Sequence, residues 1–166
     1  MLAAPILHHH IEYTAWASSR LLEAAAALTP EQLTRDFGTA DRSVVGTLAH
    51  VFAADRVWIG RIQGAPPATF LEPHEADLAY LREHWPRLHS RWREWAAQQS
   101  AESLATPLVY HDLKGNRYSQ PLWQVVLHVV NHATHHRGQV SGFLRAMGVV
   151  PPPLDLIAYY RTQAAR

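Results

Sequence analysis

The chain has 166 residues, 48% of them hydrophobic, which suits one domain with a sizeable core and excludes general disorder. Its 15 Lys and Arg against 14 Asp and Glu leave a formal charge of +1, and no basic stripe suits a phosphate backbone, so nucleic-acid binding is not expected. There is no cysteine, so disulfides, thiolate zinc or Fe–S ligation and a cysteine nucleophile are excluded, and with neither a signal-peptide pattern nor an apolar run of transmembrane length the expectation is a cytoplasmic protein without a membrane partner.

The first predicted helix covers residues 5–28. Ile6, Tyr13, Ala17, Leu21, Ala24 and Leu28 trace one face at close to the helical period. Thr29-Pro30-Glu31-Gln32 then offers an N-cap, a proline at the first helical position and a glutamine able to close a capping box, enough for one short turn. A second long helix begins near Asp41 or Ser43 and ends before Gly64. Val44, Leu48, Val51, Phe52, Ile59 and Ile62 form its buried side, and Gly64-Ala65-Pro66-Pro67 stops it.

After a loop, a third helix is predicted over 74–98. Leu78, Leu81, Trp85, Leu88, Trp92 and Trp95 alternate three- and four-residue steps, a bundle seam in which the tryptophans fill the core. Pro86 falls inside it; a proline in a regular helix interior costs about 3 kcal/mol, so a kinked helix is expected. Residues 104–120 lack a helical period. Val109-Tyr110-His111 and Arg117-Tyr118-Ser119 flank Lys114-Gly115-Asn116 as a small hairpin or an extended loop. Ser119-Gln120-Pro121 reads as an N-cap followed by an early helical proline. The last long helix then covers 121–147, with Leu122, Val125, Val129, His132, His136, Val140, Phe143 and Met147 as its inward stripe and Gly148 ending it. Pro151-Pro152-Pro153 stiffens the exit, and residues 154–160 form a short packing segment. The expected fold is all-α, a four-helix bundle with a short hairpin or loop before the last long helix, in a single domain over 1–166.

His132 and His136 stand four apart on that stripe, so their imidazoles can face one ion, and neutral imidazole suits zinc, nickel, iron and copper. A second element must complete the set. His50, between Leu48 and Val51 on the second helix, is the best candidate, while His128, four before His132, makes 128/132 a competing pair. Any single buried histidine is more often a hydrogen-bonded core group than a ligand. Two bare imidazoles in an apolar stripe, however, are expensive to bury unpaired. Three histidines without a fourth protein ligand leave positions open for water or substrate, which points to chemistry more than to a closed structural site. His135 is rotated off this face, and His8-His9-His10 cannot share one, so none of them is assigned as a ligand. Asp55 could hold Arg56, Arg61 or a histidine, or be solvated. Arg137 could bind a substrate carboxylate or, more often for such a residue, pair with a protein carboxylate. Gln139 could orient a histidine, and Trp16 and Trp58 could shape a pocket mouth. No catalytic residue stands out beyond the ligands.

Residues 13–22, from Tyr13 through Trp16 and Arg20 to Leu22, together with Leu48-Ala49-His50-Val51 and Trp58, form the first half of a larger pattern. Residues 128–139, from His128 to Gln139, form the second, with Gly148, the following prolines and Asp155. On these segments, and over nearly its full length, the chain resembles the DinB/YfiT-like superfamily of small metal-binding four-helix proteins. The resemblance implies an unusual helix order, a divalent-metal site (zinc or nickel) on His50, His132 and His136, and a homodimer. Relatives working with low-molecular-weight thiols such as bacillithiol or mycothiol imply a metal-dependent thiol S-transferase acting on a small-molecule electrophile. A metal-dependent hydrolase and a non-catalytic metal-binding stress-response protein are the alternatives.

Overall fold

The computed structural model describes residues 4–112 and 114–164. Helix α1 (Ala4–Ala26) stops short of the predicted end because Thr29 opens a new turn. There the predicted capping box forms: Thr29 Oγ1 accepts from the Gln32 amide, and Gln32 Oε1 accepts from the Thr29 amide, starting α2 (Pro30–Thr34). Ser43 Oγ accepts from the Gly46 amide at 3.1 Å and starts α3 (Val44–Ile62). The third long helix, α4 (Leu78–Ala97), begins later than its apolar period suggests. Asp77 supplies the N-cap, accepting from the Tyr80 amide at 2.9 Å, while Pro73–Glu75 forms a separate 3-10 turn. Helix α4 runs through Pro86 as one element. Pro86 is exposed, as is Arg82, whose carbonyl loses its helical partner there.

Ser100 caps a short helix, α5 (Ala101–Ala105), which leads into an antiparallel hairpin of β1 (Pro107–His111) and β2 (Arg117–Pro121), with Tyr110 opposite Tyr118. The hairpin takes in more than the sequence indicates. Ser119 and Gln120 pair with Val109 and Leu108, so Pro121, not Ser119, stands at the N-cap of α6 (Leu122–Ala146). Proline suits that junction because a strand end asks for no further amide donor. Gly148, at φ +76°, takes the left-handed conformation that ends α6, and the terminal segment forms α7 (Leu156–Ala164).

Helix α1 packs between α4 and α6, and α3 packs between the same two helices, leaving α1 and α3 nearly out of contact across the bundle. The first two long helices are thus diagonal rather than adjacent. Leu21, Leu48, Ile59, Leu81, Trp85 and Leu144 are fully buried between them. The inward face of α1 starts one position later than expected: Leu7, Ile11, Thr14 and Ser18 are buried, whereas Ile6 is 48% exposed. Among the described residues no helix is long and apolar enough to cross a membrane.

Asp55 departs from its expected setting. It is neither solvated nor paired with Arg56, which bonds Glu75 instead at 2.9 Å. Asp55 is buried in the bundle, where its carboxylate accepts from Trp85 Nε1 at 2.9 Å and its carbonyl accepts from Trp92 Nε1 at 3.1 Å. His89, also buried, places Nε2 3.9 Å from the same carboxylate. Burial pushes Asp55 up to about 7, against the Trp85 hydrogen bond and the Arg137 charge. Burial, with Arg93 and Arg137, holds His89 down to about 3.

The two shifts oppose each other in pH. Raising the folded-state value of Asp55 removes stability as pH rises from its unfolded to its folded value; lowering that of His89 removes stability as pH falls below its unfolded value. At about pH 5 the unfolded chain carries one proton on His89 and the folded chain carries one on Asp55, so the pair contributes almost no slope. Asp55→Asn keeps an acceptor for Trp85 but exposes the His89 contribution alone. Its stability, relative to the unsubstituted protein, should fall by about 1.4 kcal/mol per pH unit between about pH 6 and about pH 4. Urea unfolding across that range checks this; parallel pH profiles would show that the pair does not share a proton in this way.

Candidate metal centre

Helices α3 and α6 pack directly against each other, and His50 lies on the facing side of α3. On α6, Val129 and Val140 are buried on either side of His132 and His136, so apolar packing fixes the helix separation while the half-buried imidazoles meet between. One ring nitrogen from each of His50, His132 and His136 lies within 4.8 Å of the others. Among the described residues no other group of three His, Asp or Glu donors converges in this way. His50 Nε2 and His132 Nε2 are 3.1 Å apart. The ring centroids of His136 lie 4.5 Å from those of both His50 and His132.

The outward nitrogens have fixed partners. Asp41 Oδ1 lies 3.2 Å from His50 Nδ1, and Gln139 Oε1 lies 2.7 Å from His136 Nδ1. Both oxygens can only accept, so each ring carries its proton on Nδ1 and turns an Nε2 lone pair inward. Asp41 Oδ2 is also 3.7 Å from His136 Nδ1, so one carboxylate faces two of the three rings. His50 and His132 then have two ways to satisfy their facing nitrogens: a proton on His132 Nε2, or one cation shared by both lone pairs. Nitrogens bound to a common tetrahedral zinc at 2.0–2.1 Å would lie about 3.4 Å apart, close to the spacing observed. Burial, reinforced by His136, His50, His128 and His135, holds His132 down to about 4, and burial also lowers His50 against the opposing pull of Asp41. Neutral imidazole is the form that binds a metal. The donor set fits a divalent cation.

Asp41 is the residue that sequence reasoning missed; it enters there only as one of two helix-start positions. Its loop is held against both helices. Phe37 stacks on Phe143 of α6 with ring centroids 4.3 Å apart, and Arg42 adopts a left-handed φ of 63°. Gly46, in the first turn of α3, lets the Asp41 carbonyl come close; any Cβ there would collide with that oxygen. A glycine so early in an apolar helix was the signal available. On the other side, Arg56 donates to the Phe70 carbonyl at 3.0 Å and to Glu75, anchoring the strap whose Phe70 ring packs 5.2 Å from His50.

Other candidates sort clearly. His128 is exposed, one turn before His132, and packs on Trp58 at 5.3 Å, outside the three-histidine group. His135 is exposed, with its ring edge on His136. Trp58 borders a cavity of about 280 Å³ with Tyr110, Val125 and His128. Trp16 shapes no mouth at the cluster; it packs on Tyr13 and Tyr159 between α1 and α7. Gln139 does orient a histidine. Among the described residues Arg137 pairs with no carboxylate and instead bonds Thr14, Ser18 and Thr134.

Comparison with known proteins accords with this fold. The family model described as "DinB family" matches residues 3–166. The chain is 26% identical over 156 residues to Protein DinB of Bacillus subtilis (strain 168), covering 89% of this chain and 90% of that protein. It is similar in fold to a crystal structure of a DinB-like protein from Bacillus cereus ATCC 10987, with a TM-score of 0.60 at 16% identity, over 87% of this chain and 94% of that one.

Zinc titration in competition with a chromophoric chelator tests the site. The unsubstituted chain should take up one equivalent, and His132→Ala should abolish that uptake. Asp41→Asn should retain the stoichiometry but weaken affinity by about 10- to 100-fold, as expected for loss of a group that orients a ligand. Unchanged affinity in Asp41→Asn would remove Asp41 from the site.

Proposed function

Because the chain belongs to the DinB family, we propose that it is a divalent-metal enzyme that transfers a low-molecular-weight thiol to a small electrophile, with His50, His132 and His136 holding a zinc or nickel ion. The observation that carries this reading is the convergence of three ring nitrogens from two helices, joined by no fourth His, Asp or Glu among the described residues. A three-ligand set leaves room for an exchangeable partner, as catalytic sites do. When bound, such an ion supplies Lewis acidity that favours the thiolate over the thiol.

The chain's own groups have defined tasks in this reading. Asp41 and Gln139 hold the Nδ1 protons of His50 and His136 and so set the rings' orientation. Phe70, on its Arg56–Glu75 anchor, shields the His50 side from water. With no cysteine in the sequence, the sulfur nucleophile comes from solution. The cavity beside His128, walled by Trp58, Tyr110 and Val125, offers an apolar and aromatic surface for the electrophile. His128, on the wall of that cavity, lies 5.8 Å from the His132 ring, so an electrophile held there would present its carbon toward the cluster, where the thiolate sulfur forms a bond to it as the leaving group departs with its electron pair. A single domain, a homodimer in solution and a cytoplasmic setting, where such thiols stay reduced, belong to the same proposal.

Protein loaded with zinc or nickel, given bacillithiol or mycothiol and a chloronitroaromatic electrophile, should form the thioether only when both metal and thiol are present. His136→Ala should lower the rate by at least about 100-fold. Turnover of ester or amide substrates without thiol would replace this reading with the hydrolase. Full metal occupancy without turnover of either kind would favour the non-catalytic protein.

A further inference from the structure

Arg137 directly follows His136 but serves a different side of α6. It is 2% exposed, and neutral groups hold its guanidinium. Nη1 donates to Thr14 Oγ1 at 2.9 Å, with longer contacts to the Thr14 carbonyl and Ser18 Oγ, and Nη2 donates to Thr134 Oγ1 at 2.9 Å. Its Nε has no partner among the described residues. Among the described residues no carboxylate lies within ion-pair distance of it. Asp55, which acts on it through the core, is itself inclined toward its neutral form by burial. Its guanidinium carbon also lies 5.2 Å from the Tyr13 ring centroid, so hydroxyls, an aromatic face and the more distant Asp55 support a cation that has no full counter-charge beside it.

Arg137 also lines a cleft of about 870 Å³, within the range of small-molecule sites. None of the clustered histidines borders it. One wall is α1 with His10 and Tyr13, another is the side of α6 bearing Asn131, Ser141 and Arg145, and the third is the arm from Pro151 to Leu156. The walls are fixed before any ligand arrives. Tyr13 donates its hydroxyl to the Leu154 carbonyl at 2.8 Å, and Tyr159 of α7 packs on Tyr13 and Trp16 at 5.9 and 5.5 Å, while three prolines stiffen the arm. Arg145 and Asp155 are exposed at the rim, and the buried Arg137 adds a second positive charge in the α6 wall behind it. His10 Nδ1, on the α1 wall, is buried without a partner among the described residues. Val130, Pro152 and Leu156 give the remainder an apolar surface.

We propose that this cleft is a second binding site, for a small organic monoanion whose carboxylate meets Arg145, with the charge of the buried Arg137 behind it, and whose apolar body rests on Val130 and the proline arm. Charge complementarity selects the anion, and the mixed lining selects an organic one over a bare inorganic ion. The site is independent of the metal chemistry proposed above.

The test is a titration of the ¹⁵N-labelled full-length chain with benzoate, with benzamide as the neutral isostere, followed by amide shift mapping. The mapping separates this cleft from the histidine cluster, where a carboxylate could also bind through a metal. Benzoate should cause saturable shifts at Asn131, Ser141, Arg145 and Leu156. Benzamide should bind at least about tenfold more weakly, the scale of one lost charge-assisted contact. Arg145→Glu should weaken benzoate by a similar factor, and because Arg145 is exposed its amide spectrum should otherwise report an intact bundle. The proposal is overturned by no saturable shifts, by shifts confined to the surroundings of His50 and His132, by equal binding of benzamide, or by an Arg145→Glu variant that binds benzoate unchanged.

Discussion

The packing of α3 on α6 sets the position of everything at the histidine cluster. His50 is on one helix and His132 and His136 are on the other, so no two-helix cluster exists unless these surfaces meet in one register. That register is held by apolar contacts rather than by the imidazoles. Leu48, Val51, Val129, Val140 and Phe143 are buried around the rings, and each such side chain stabilises the fold by roughly 1.5–3 kcal/mol when taken from water. The histidines are then brought to half-burial by their neighbours. Half-burial weakens the hold of His132 and His50 on protons. The helix contact thus prepares neutral donors and aims them at one point.

The segments around that contact follow from it. The loop bearing Asp41 is stacked onto α6 through Phe37 and admitted to α3 by Gly46, and the strap bearing Phe70 is tied by Arg56 to Glu75. The hairpin closes the other end: Tyr110 packs on Trp58 at 4.9 Å, and Arg61 donates to the His111 carbonyl at 2.8 Å. Helix α6 therefore has two working sides. Its α3 side carries the histidines, and its α1 side carries Val130, Ala133 and the buried Arg137. Neighbouring residues in the sequence, His136 and Arg137, end up serving separate regions because a helix turns each successive side chain by about 100°.

The long helices were legible because their apolar periods run for many turns; the α6 stripe placed Val125, Val129, Val140 and Phe143 inside as read. The grouping of His50 with His132 and His136, over His128 with His132, was partly legible, since His50 sits among buried apolar positions and the family resemblance selects it. What escaped was set by tertiary contact. Asp41 lies in a loop with no period, and its reach to two rings depends on a left-handed Arg42 and a close approach at Gly46. Asp55 and Arg137 look like surface charges by composition, yet both are buried, one beneath two indole donors and the other among hydroxyls. The early part of α1 was read one position out of phase because Ile6 is exposed where Leu7 is not. The diagonal placement of α1 and α3 follows from packing choices that periodicity does not encode.

The central claim is that one ion sits among three specific imidazole nitrogens. Crystals of the zinc-loaded, untagged chain, measured on both sides of the zinc absorption edge, address it directly. The account predicts a single anomalous peak about 2.0–2.1 Å from one ring nitrogen of each of His50, His132 and His136. A peak bound elsewhere, at His128 or along His8 to His10, or no peak in protein that has been exposed to excess zinc, would contradict it.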